Sequence, residues 1–292
     1  MPELKIVSAS YRTDIPAFYS RWLLGRLAAG FCDVASPYGG RPYGVSLLAP
    51  EVQGFVLWTR NIRPLLPDLA VLAERAPFAV QFTLTAYPRA LEPSVIGAEA
   101  ALGQLRALRA VWGPRVAVWR YDPVLISSLT PPAWHRANFA VLATALRGVA
   151  DEVVVSFAQF YRKTVRNLDL AAKRAAFSWR DPPDDEKREL LADFAVIAQE
   201  NGMALTLCTQ PHLTSPQIRA ARCIDPARLS DIAGHSIHAR EKGNRPGCRC
   251  AEARDIGGYD TCPHGCVYCY AVSSNRQARN RFAAHEPEQT SL

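Results

Sequence analysis

The stretch Val116-Ala-Val-Trp-Arg-Tyr-Asp-Pro123 decides the fold class of this chain. Its first six residues are rich in β-branched and aromatic side chains, which is typical of a buried β-strand. Polar residues, among them Arg120 and Asp122, come at the end of this run. The stretch therefore predicts a core strand whose carboxyl end carries charged side chains.

Similar short strands alternate along the chain with longer helical patterns, as parallel strands joined by crossover helices do. We predict an α/β fold with a TIM-like barrel, complete or partial, formed as one domain by residues 1–292. The predicted strands span residues 5–10, 44–48, 55–59, 79–85, 116–121, 153–157 and 205–208, with an eighth strand before the last cysteines. The predicted helices span residues 16–29, 65–75, 95–111, 132–146 and 184–200.

Active sites of such barrels lie at the carboxyl ends of the strands. Arg12 and Asp14 follow the first predicted strand, and Arg120 and Asp122 follow the fifth. Arginine and aspartate at a barrel mouth can bind a carboxylate, ribose hydroxyls or an amine, so these four are candidate cofactor-binding residues. Asp14 as a helix cap and Asp122 as a turn residue are the structural alternatives.

The segment Cys262-Pro-His-Gly-Cys266-Val-Tyr-Cys269 holds three closely spaced thiols. Three thiolates are one fewer than the shell of an electron-transfer 4Fe-4S cluster, so one iron would stay open to a small ligand. A zinc site that also uses His264 is the alternative. Disulfides are disfavoured because the chain begins Met-Pro-Glu-Leu-Lys with no apolar leader, and we expect a cytoplasmic protein.

Four further cysteines precede this segment within a cysteine-rich region at residues 208–270. Cys208, Cys223, Cys248 and Cys250 match in number a complete shell for a second 4Fe-4S cluster or a zinc ion. Ordinary buried thiols are the alternative, because only Cys248 and Cys250 are paired locally.

Composition limits the protein's class and partners. The chain has 292 residues, 49% of them hydrophobic, with no apolar run long enough for a membrane span. Its net charge of +7 favours an anionic partner, although no long basic block is present, so nucleic acid is a minor alternative. No hydrolase triad or phosphate-binding glycine loop is found. We expect residues 283–292 to form a mobile tail.

Several segments taken together resemble an uncharacterised bacterial family whose C-terminal cysteines are similar to the cluster loop of radical S-adenosylmethionine enzymes. The segments are Ser8-Ala-Ser-Tyr-Arg-Thr-Asp-Ile-Pro-Ala-Phe-Tyr19, Phe55-Val-Leu-Trp-Thr-Arg-Asn61, Trp119-Arg-Tyr-Asp-Pro123 and Asp255-Ile-Gly-Gly-Tyr-Asp-Thr-Cys262.

The resemblance implies a 4Fe-4S cluster on Cys262, Cys266 and Cys269, with S-adenosylmethionine on the open iron and the aromatic Tyr268 beside it. It also implies a reductant such as a flavodoxin or ferredoxin. In that superfamily the cluster loop follows the first barrel strand, whereas here it follows the last. A circular permutation would explain the difference. It predicts that the strand before Cys262 lies beside the chain's first strand, with residues 10–14 nearest the cofactor.

These observations predict a radical S-adenosylmethionine enzyme acting on an unknown small or anionic substrate. A radical enzyme that repairs or modifies nucleic acid is one alternative. A non-enzymatic binding protein stabilised by zinc or an iron-sulfur cluster is another. No residue is assigned a catalytic role.

Overall fold

The fold is a mixed α/β arrangement built on an eight-stranded parallel sheet, in a computed structural model that describes residues 4–36 and 39–292. Every ladder in this sheet is parallel. The strands of the sheet are β1 (Lys5–Ala9), β4 (Val52–Thr59), β5 (Phe78–Thr83), β6 (Ala117–Val124), β8 (Glu152–Phe157), β10 (Ala204–Leu207), β11 (Arg219–Ala220) and β12 (Ala253–Asp255). Two small antiparallel pairs lie outside it, formed by β2 (Phe31–Val34) with β3 (Tyr43–Ser46) and by β7 (Ile126–Ser127) with β9 (Trp179–Arg180).

Helices connect most of the strands, and several begin where the sequence supplies a helix start. Asp14, Asp225 and Ser274 accept a hydrogen bond from a backbone N–H of the first turn, and α5 begins with proline. The helices are α1 (Ile15–Phe18), α2 (Ser20–Ala29), α3 (Leu69–Ala73), α4 (Ala98–Trp112), α5 (Pro132–Ala145), α6 (Arg162–Ala175), α7 (Asp184–Glu200), α8 (Pro226–Ala233) and α9 (Asn275–Ala283).

The two faces of the sheet bury different side chains, because successive residues of a strand point to opposite faces. One face carries large side chains such as Phe55 and Trp119, which pack in the same cluster as the core residues of α2, α4, α5 and α7. Phe139 of α5 stacks on Phe194 of α7 at 4.2 Å between ring centroids. The other face carries a row of mostly smaller residues in a second cluster that includes α8 and several cysteines; the row is Ile6, Val56, Ala79, Val118 and Val154.

The order across the sheet is β11, β10, β8, β6, β5, β4, β1, β12. The first and last strands of the chain are therefore neighbours: Ile6 pairs with Ala253 and Ser8 with Asp255. This confirms the prediction that the strand before Cys262 lies beside the first strand. Among the described residues, β11 and β12 share no ladder, although Ala251 N–H donates to Ile224 O at 3.0 Å across the gap.

One strand predicted for the main sheet lies outside it. Residues 44–48 lie largely in β3, which pairs antiparallel with β2 outside the main sheet. A strand this close in sequence to its predecessor forms a hairpin more readily than a parallel crossover, which needs a dozen or more residues. The short strand β11 and the helices α6, α8 and α9 were not predicted from the sequence.

The last residues of the chain lie against α2 and β2. Trp22 Nε1 donates to Gln289 O at 2.9 Å, and Asp33 N–H donates to Thr290 O at 2.8 Å. Leu292 packs against the main core. These contacts lie within residues 283–292, for which mobility stays a prediction. No helix in the described ranges has the length and apolar character needed to cross a membrane.

Candidate functional site

The segment with Cys262, Cys266 and Cys269 forms a loop between β12 and α9, beside the carboxyl ends of β12 and β1. The three thiols are partly exposed and lie close enough to influence one another electrostatically. Burial raises the pKa of Cys266 to about 12 and that of Cys262 well above its ordinary value. Free thiols at these positions are therefore protonated at neutral pH, and a bound metal would have to displace their protons.

The geometry of the loop depends on two glycines. Gly265 has a φ of +78°, a conformation that glycine adopts without steric cost, and a Cβ there would lie 3.0 Å from Pro93 Cγ. At Gly257 a Cβ would lie only 2.1 Å from Ser10 Oγ. The chain therefore passes directly against the end of β1 on its way to Cys262.

Asp14 connects three elements around this loop. His264 Nε2 donates to Asp14 Oδ2 at 2.7 Å, and Arg60 N–H donates to the same oxygen at 2.8 Å. Thr59 Oγ1 and Ala17 N–H donate to Asp14 Oδ1 at 2.7 and 3.0 Å. Both carboxylate oxygens are thus used within the protein, so Asp14 is a helix cap and a loop anchor.

His264 has little freedom to act as a metal ligand. Its Nε2 is bonded to Asp14, and its Nδ1 lies 3.4 Å from the carbonyl of Ser94. The ring also packs edge-on against Phe18 at 4.6 Å between centroids. A zinc shell of three cysteines and His264 would require these contacts to break, whereas a site that uses the three thiols alone would not.

Tyr268, predicted to lie beside the cofactor, is buried in a polar network on the other side of the loop. Arg60 donates to Tyr268 Oη at 2.7 Å and to Glu92 Oε1 at 2.8 Å, and Tyr268 also donates to Glu92. Thr85 Oγ1 donates to the same carboxylate oxygen at 2.7 Å. Burial opposes the charge on Arg60, but Glu92, Tyr268 and Cys266 together outweigh it, so the pKa of Arg60 is raised. The network borders a cavity of about 130 Å³.

Arg12, the other candidate cofactor contact at the end of β1, is paired with Asp255 at the end of β12. Arg12 Nε donates to Asp255 Oδ1 at 2.9 Å, and both side chains are buried. Ser8, Ser10 and the backbone of Tyr11 donate to the same carboxylate. The pair therefore joins the two neighbouring strands immediately before the cysteine loop.

Arg120 and Asp122 lie elsewhere, next to the second set of cysteines. They form an ion pair with each other, and Ser156 Oγ donates to Asp122. Arg120 also donates to Cys223 Sγ at 2.9 Å and to Gln81 Oε1 at 3.1 Å. The structure thus separates the four candidates at strand ends into two groups, with Arg12 and Asp14 at the loop and Arg120 and Asp122 at Cys223.

The second set of cysteines converges from three separate parts of the chain. Cys208, Cys223 and Cys250 lie in one buried cluster, and Cys248 packs against it. The interaction with Cys250 lowers the pKa of Cys248 to about 6. Within residues 4–36 and 39–292, no three or more His, Cys, Asp or Glu side chains are already arranged around a metal position. The four cysteines of this set are therefore grouped in one cluster, but not yet around a common centre.

Arg245 lies between the two cysteine groups. It donates to Cys208 Sγ at 3.7 Å, and its charge also acts on Asp122. On its other side it lies near Tyr270. Burial raises the pKa of Tyr270 well above its ordinary value, and the charge of Arg245 offsets part of this rise. Tyr270 follows Cys269 directly and donates to Tyr11 O at 2.5 Å. The two groups of thiols therefore border a shared polar region.

The comparison with known families agrees with the predicted membership of an uncharacterised family. Residues 6–271 match the family described as a domain of unknown function, DUF1848. The chain belongs to this family. The match covers the sheet from β1 to β12 and ends just after the cysteine loop of the DUF1848 chain. No curated protein matches the chain with significant sequence similarity.

Several residues of this region in the DUF1848 chain were not predicted from the sequence. They are Asp255, Glu92 and Arg245, which contact Arg12, Tyr268 and Cys208. Glu92 and Arg245 follow no predicted strand, so their position carried no signal. Asp255 stands at the start of the segment that leads into Cys262, and the strand it ends is only three residues long.

Proposed function

We propose that this protein is a radical S-adenosylmethionine enzyme whose 4Fe-4S cluster is held by Cys262, Cys266 and Cys269. The observation that carries the proposal is the grouping of these three thiols, in one loop, beside the carboxyl ends of the adjacent strands β1 and β12. This is the end of a parallel sheet at which active sites of barrel enzymes lie. When bound, the cluster and S-adenosylmethionine would supply a carbon-centred radical that abstracts a hydrogen atom.

The finer part of the fold proposal is a TIM-like barrel, circularly permuted relative to other enzymes of this class. Its support is the strand order: each strand of the sheet neighbours the next one along the chain, except β11 and β12, and β12 returns to β1. In such a barrel, β12 takes the place of the usual first strand, and its loop takes the place of the usual cluster loop.

The residues around the cysteine loop hold it in position, as a cluster-binding loop requires. The Asp14–His264 hydrogen bond and the Arg12–Asp255 ion pair hold the loop from the side of β1. Because both acidic groups are fully used by protein donors, we assign them to positioning the loop and not to contacting the cofactor. Cys262, Cys266 and Cys269 are largely buried but keep some exposure to solvent, which would leave access for a small ligand.

The test is anaerobic reconstitution with iron and sulfide, followed by reduction with dithionite in the presence of S-adenosylmethionine. We expect about four irons to be bound at Cys262, Cys266 and Cys269. We also expect release of 5′-deoxyadenosine. The matched variant changes Cys262, Cys266 and Cys269 to Ala, and Cys32→Ala, a buried thiol in β2, is the control. Equal iron content and equal 5′-deoxyadenosine in the triple variant and the control would refute the proposal.

A second candidate, a nucleic-acid substrate, is favoured by one surface. Two basic helices lie next to the loop: Arg166 of α6 donates to Ser273 O, just before α9, and Arg281 of α9 donates to Tyr259 O. Lys163 lies over the ring of Tyr259 at 5.1 Å. Exposed arginines beside a partly exposed tyrosine suit single-stranded nucleic acid, because its phosphates bind cations and its bases stack on aromatic rings. The exposed arginines of the two helices are Arg162, Arg166, Arg174, Arg276, Arg279 and Arg281.

This candidate is tested by the salt dependence of binding to a fluorescent single-stranded oligonucleotide. We expect the double variant Arg276→Gln/Arg279→Gln to bind more weakly, with a slope against salt smaller by about 1.4. The double variant Arg106→Gln/Arg109→Gln in α4 removes the same charge elsewhere and is the control. Equal loss in both variants would indicate a general charge effect and refute this surface.

A further inference from the structure

We propose that Cys208, Cys223, Cys248 and Cys250 form a closed, tetrahedral zinc site that joins the two ends of the main sheet. This site is separate from the cysteine loop at residues 262–269, and the proposal does not depend on the radical chemistry proposed above.

The first argument is the convergence of the thiols. They come from three places, after β10, after β11 and before β12, and are separated by up to 42 residues, from Cys208 to Cys250. Cys208, Cys223 and Cys250 are buried in one cluster, and Cys248 packs against it. Scattered core thiols have no reason to collect in one contact group, whereas a shared ion requires it.

The close packing of the four cysteines suits one metal ion better than a cluster. Zn–S bonds of about 2.3 Å in a tetrahedron place neighbouring sulfurs about 3.8 Å apart, so the ligands of a zinc ion touch one another. A four-iron cube keeps the sulfurs of its ligands farther apart, because each binds a different iron. Because the four cysteines already pack in one small cluster, their side chains would have to rearrange only locally to surround a single ion.

The surroundings supply donors directed at sulfur, as the outer shell of a thiolate metal site does. Arg120 donates to Cys223 Sγ at 2.9 Å, and Arg245 donates to Cys208 Sγ at 3.7 Å. Ile224 N–H donates to Cys250 Sγ at 3.5 Å. Two guanidinium groups beside one carboxylate, Asp122, leave this region with a positive charge that a zinc centre of four thiolates, with a net charge of −2, would offset.

The backbone around the thiols is held in place. Gln81 Nε2, from the middle of β5, donates to Cys223 O at 2.9 Å. A Cβ at Gly243 would lie 2.2 Å from Cys248 O, so the chain before the Cys248–Cys250 pair passes directly against it. The thiols therefore have little backbone freedom, which lowers the entropy lost when a metal binds.

The position of the site explains what the metal would do. Among the described strands, β11 and β12 are the sequence neighbours of the main sheet that share no ladder. The ligands lie on both sides of this gap, with Cys223 following β11 and Cys250 preceding β12. A zinc ion would thus replace the missing hydrogen bonds with metal bonds and stabilise the sheet at its seam.

The main experiment measures metals by mass spectrometry in protein purified without oxygen from zinc-supplemented medium. We expect one zinc per chain, retained in the Cys262→Ala/Cys266→Ala/Cys269→Ala variant and reduced at least tenfold in Cys248→Ser/Cys250→Ser. Cys32→Ser is the control and should keep its zinc. An unchanged zinc content in Cys248→Ser/Cys250→Ser would overturn the proposal. The proposal would also be overturned if this variant lost iron and sulfide and not zinc.

A second measurement avoids the risk that the double serine variant fails to fold. The triple alanine variant, which keeps all four cysteines of the proposed zinc site, is stripped of metal and titrated with Co²⁺, which reports its ligands by its absorption spectrum. We expect intense bands of tetrahedral thiolate coordination saturating at one equivalent in the triple alanine variant, and displacement of Co²⁺ by Zn²⁺. Weak bands typical of octahedral oxygen ligands would overturn the proposal even if every variant folds.

Discussion

Asp14 and His264, which are 250 residues apart in the chain, are joined by a 2.7 Å hydrogen bond between buried side chains. The bond links the turn after the first strand to the middle of the cysteine loop. Because Asp14 also caps α1 and binds Thr59 and Arg60 at the end of β4, one carboxylate fixes three segments. The cysteine loop is therefore held by the first quarter of the chain.

The change Asp14→Asn should weaken this anchor. An amide offers one acceptor oxygen where the carboxylate offers two, so at least one of four buried donors loses its partner, at a cost of about 1–3 kcal/mol in the free energy of unfolding. Urea unfolding under anaerobic conditions measures this cost. Asp185→Asn is the control, because that side chain is 93% exposed and should change stability by less than about 0.5 kcal/mol. Equal stability of the two variants would contradict the anchor role.

The buried pair Arg60–Glu92 should show strong coupling between its members. Glu92→Leu leaves the Arg60 guanidinium buried without its carboxylate, which we expect to cost about 3–5 kcal/mol. The double variant Arg60→Met/Glu92→Leu should recover part of that loss, because it removes both charges. A double-mutant cycle from urea unfolding gives the coupling energy.

The exposed pair Arg188–Asp185 provides the comparison for this cycle. Its coupling should be below about 1 kcal/mol, as exposed ion pairs give. A coupling at Arg60–Glu92 as small as this one would show that the network around Tyr268 contributes little to stability.

Gly257 should tolerate no side chain. A Cβ there would lie 2.1 Å from Ser10 Oγ, and Ser10 is fixed by its hydrogen bond to Asp255. We expect Gly257→Ala to destabilise the fold by about 1–3 kcal/mol, since the strand ends must separate. Gly103→Ala is the matched control: its Cβ meets no atom within 4 Å in the middle of α4 and should stabilise the helix by up to about 1 kcal/mol. Thermal unfolding of both variants should therefore shift in opposite directions.

The sequence predicted the regular elements where local pattern alone determines them. The helix predicted at residues 184–200 is observed with the same bounds, and β1 ends within one residue of its prediction. Asp14 caps a helix, as its position before Ile15 and Pro16 suggested. The assignment of residues 44–48 to the main sheet was wrong, because a strand's partner is chosen by chain path and not by its own residues.

The candidate site was predictable only in part. The spacing of Cys262, Cys266 and Cys269 identified the loop, and the permutation argument correctly placed its strand beside β1. The convergence of Cys208, Cys223 and Cys250 depends on the path of the chain through the fold, on which local spacing gives no information. For the same reason, the sequence could not predict that Arg12 and Arg120 lie in different groups, because each follows a similar apolar run.

The buried imidazole of His135 makes stability depend on pH. Its Nδ1 lies 2.8 Å from Tyr121 Oη and its Nε2 lies 3.1 Å from Leu125 O, so the neutral ring is fully hydrogen-bonded. Burial lowers the pKa of His135 to about 4, below the ordinary value of 6.5. Between these two pH values the unfolded chain binds a proton that the folded chain does not, so stability falls as pH falls through this window.

At pH 5 the expected loss relative to pH 7.5 is about 2 kcal/mol, since each pH unit below 6.5 contributes about 1.4 kcal/mol. The change His135→Gln keeps one donor and one acceptor but removes the titrating group, so its unfolding free energy should lose that part of the pH dependence. Urea unfolding of both proteins at the two pH values gives the difference directly. An equal pH dependence in the two proteins would mean that His135 is protonated equally in the folded and unfolded chains, and that its burial leaves its proton affinity unchanged.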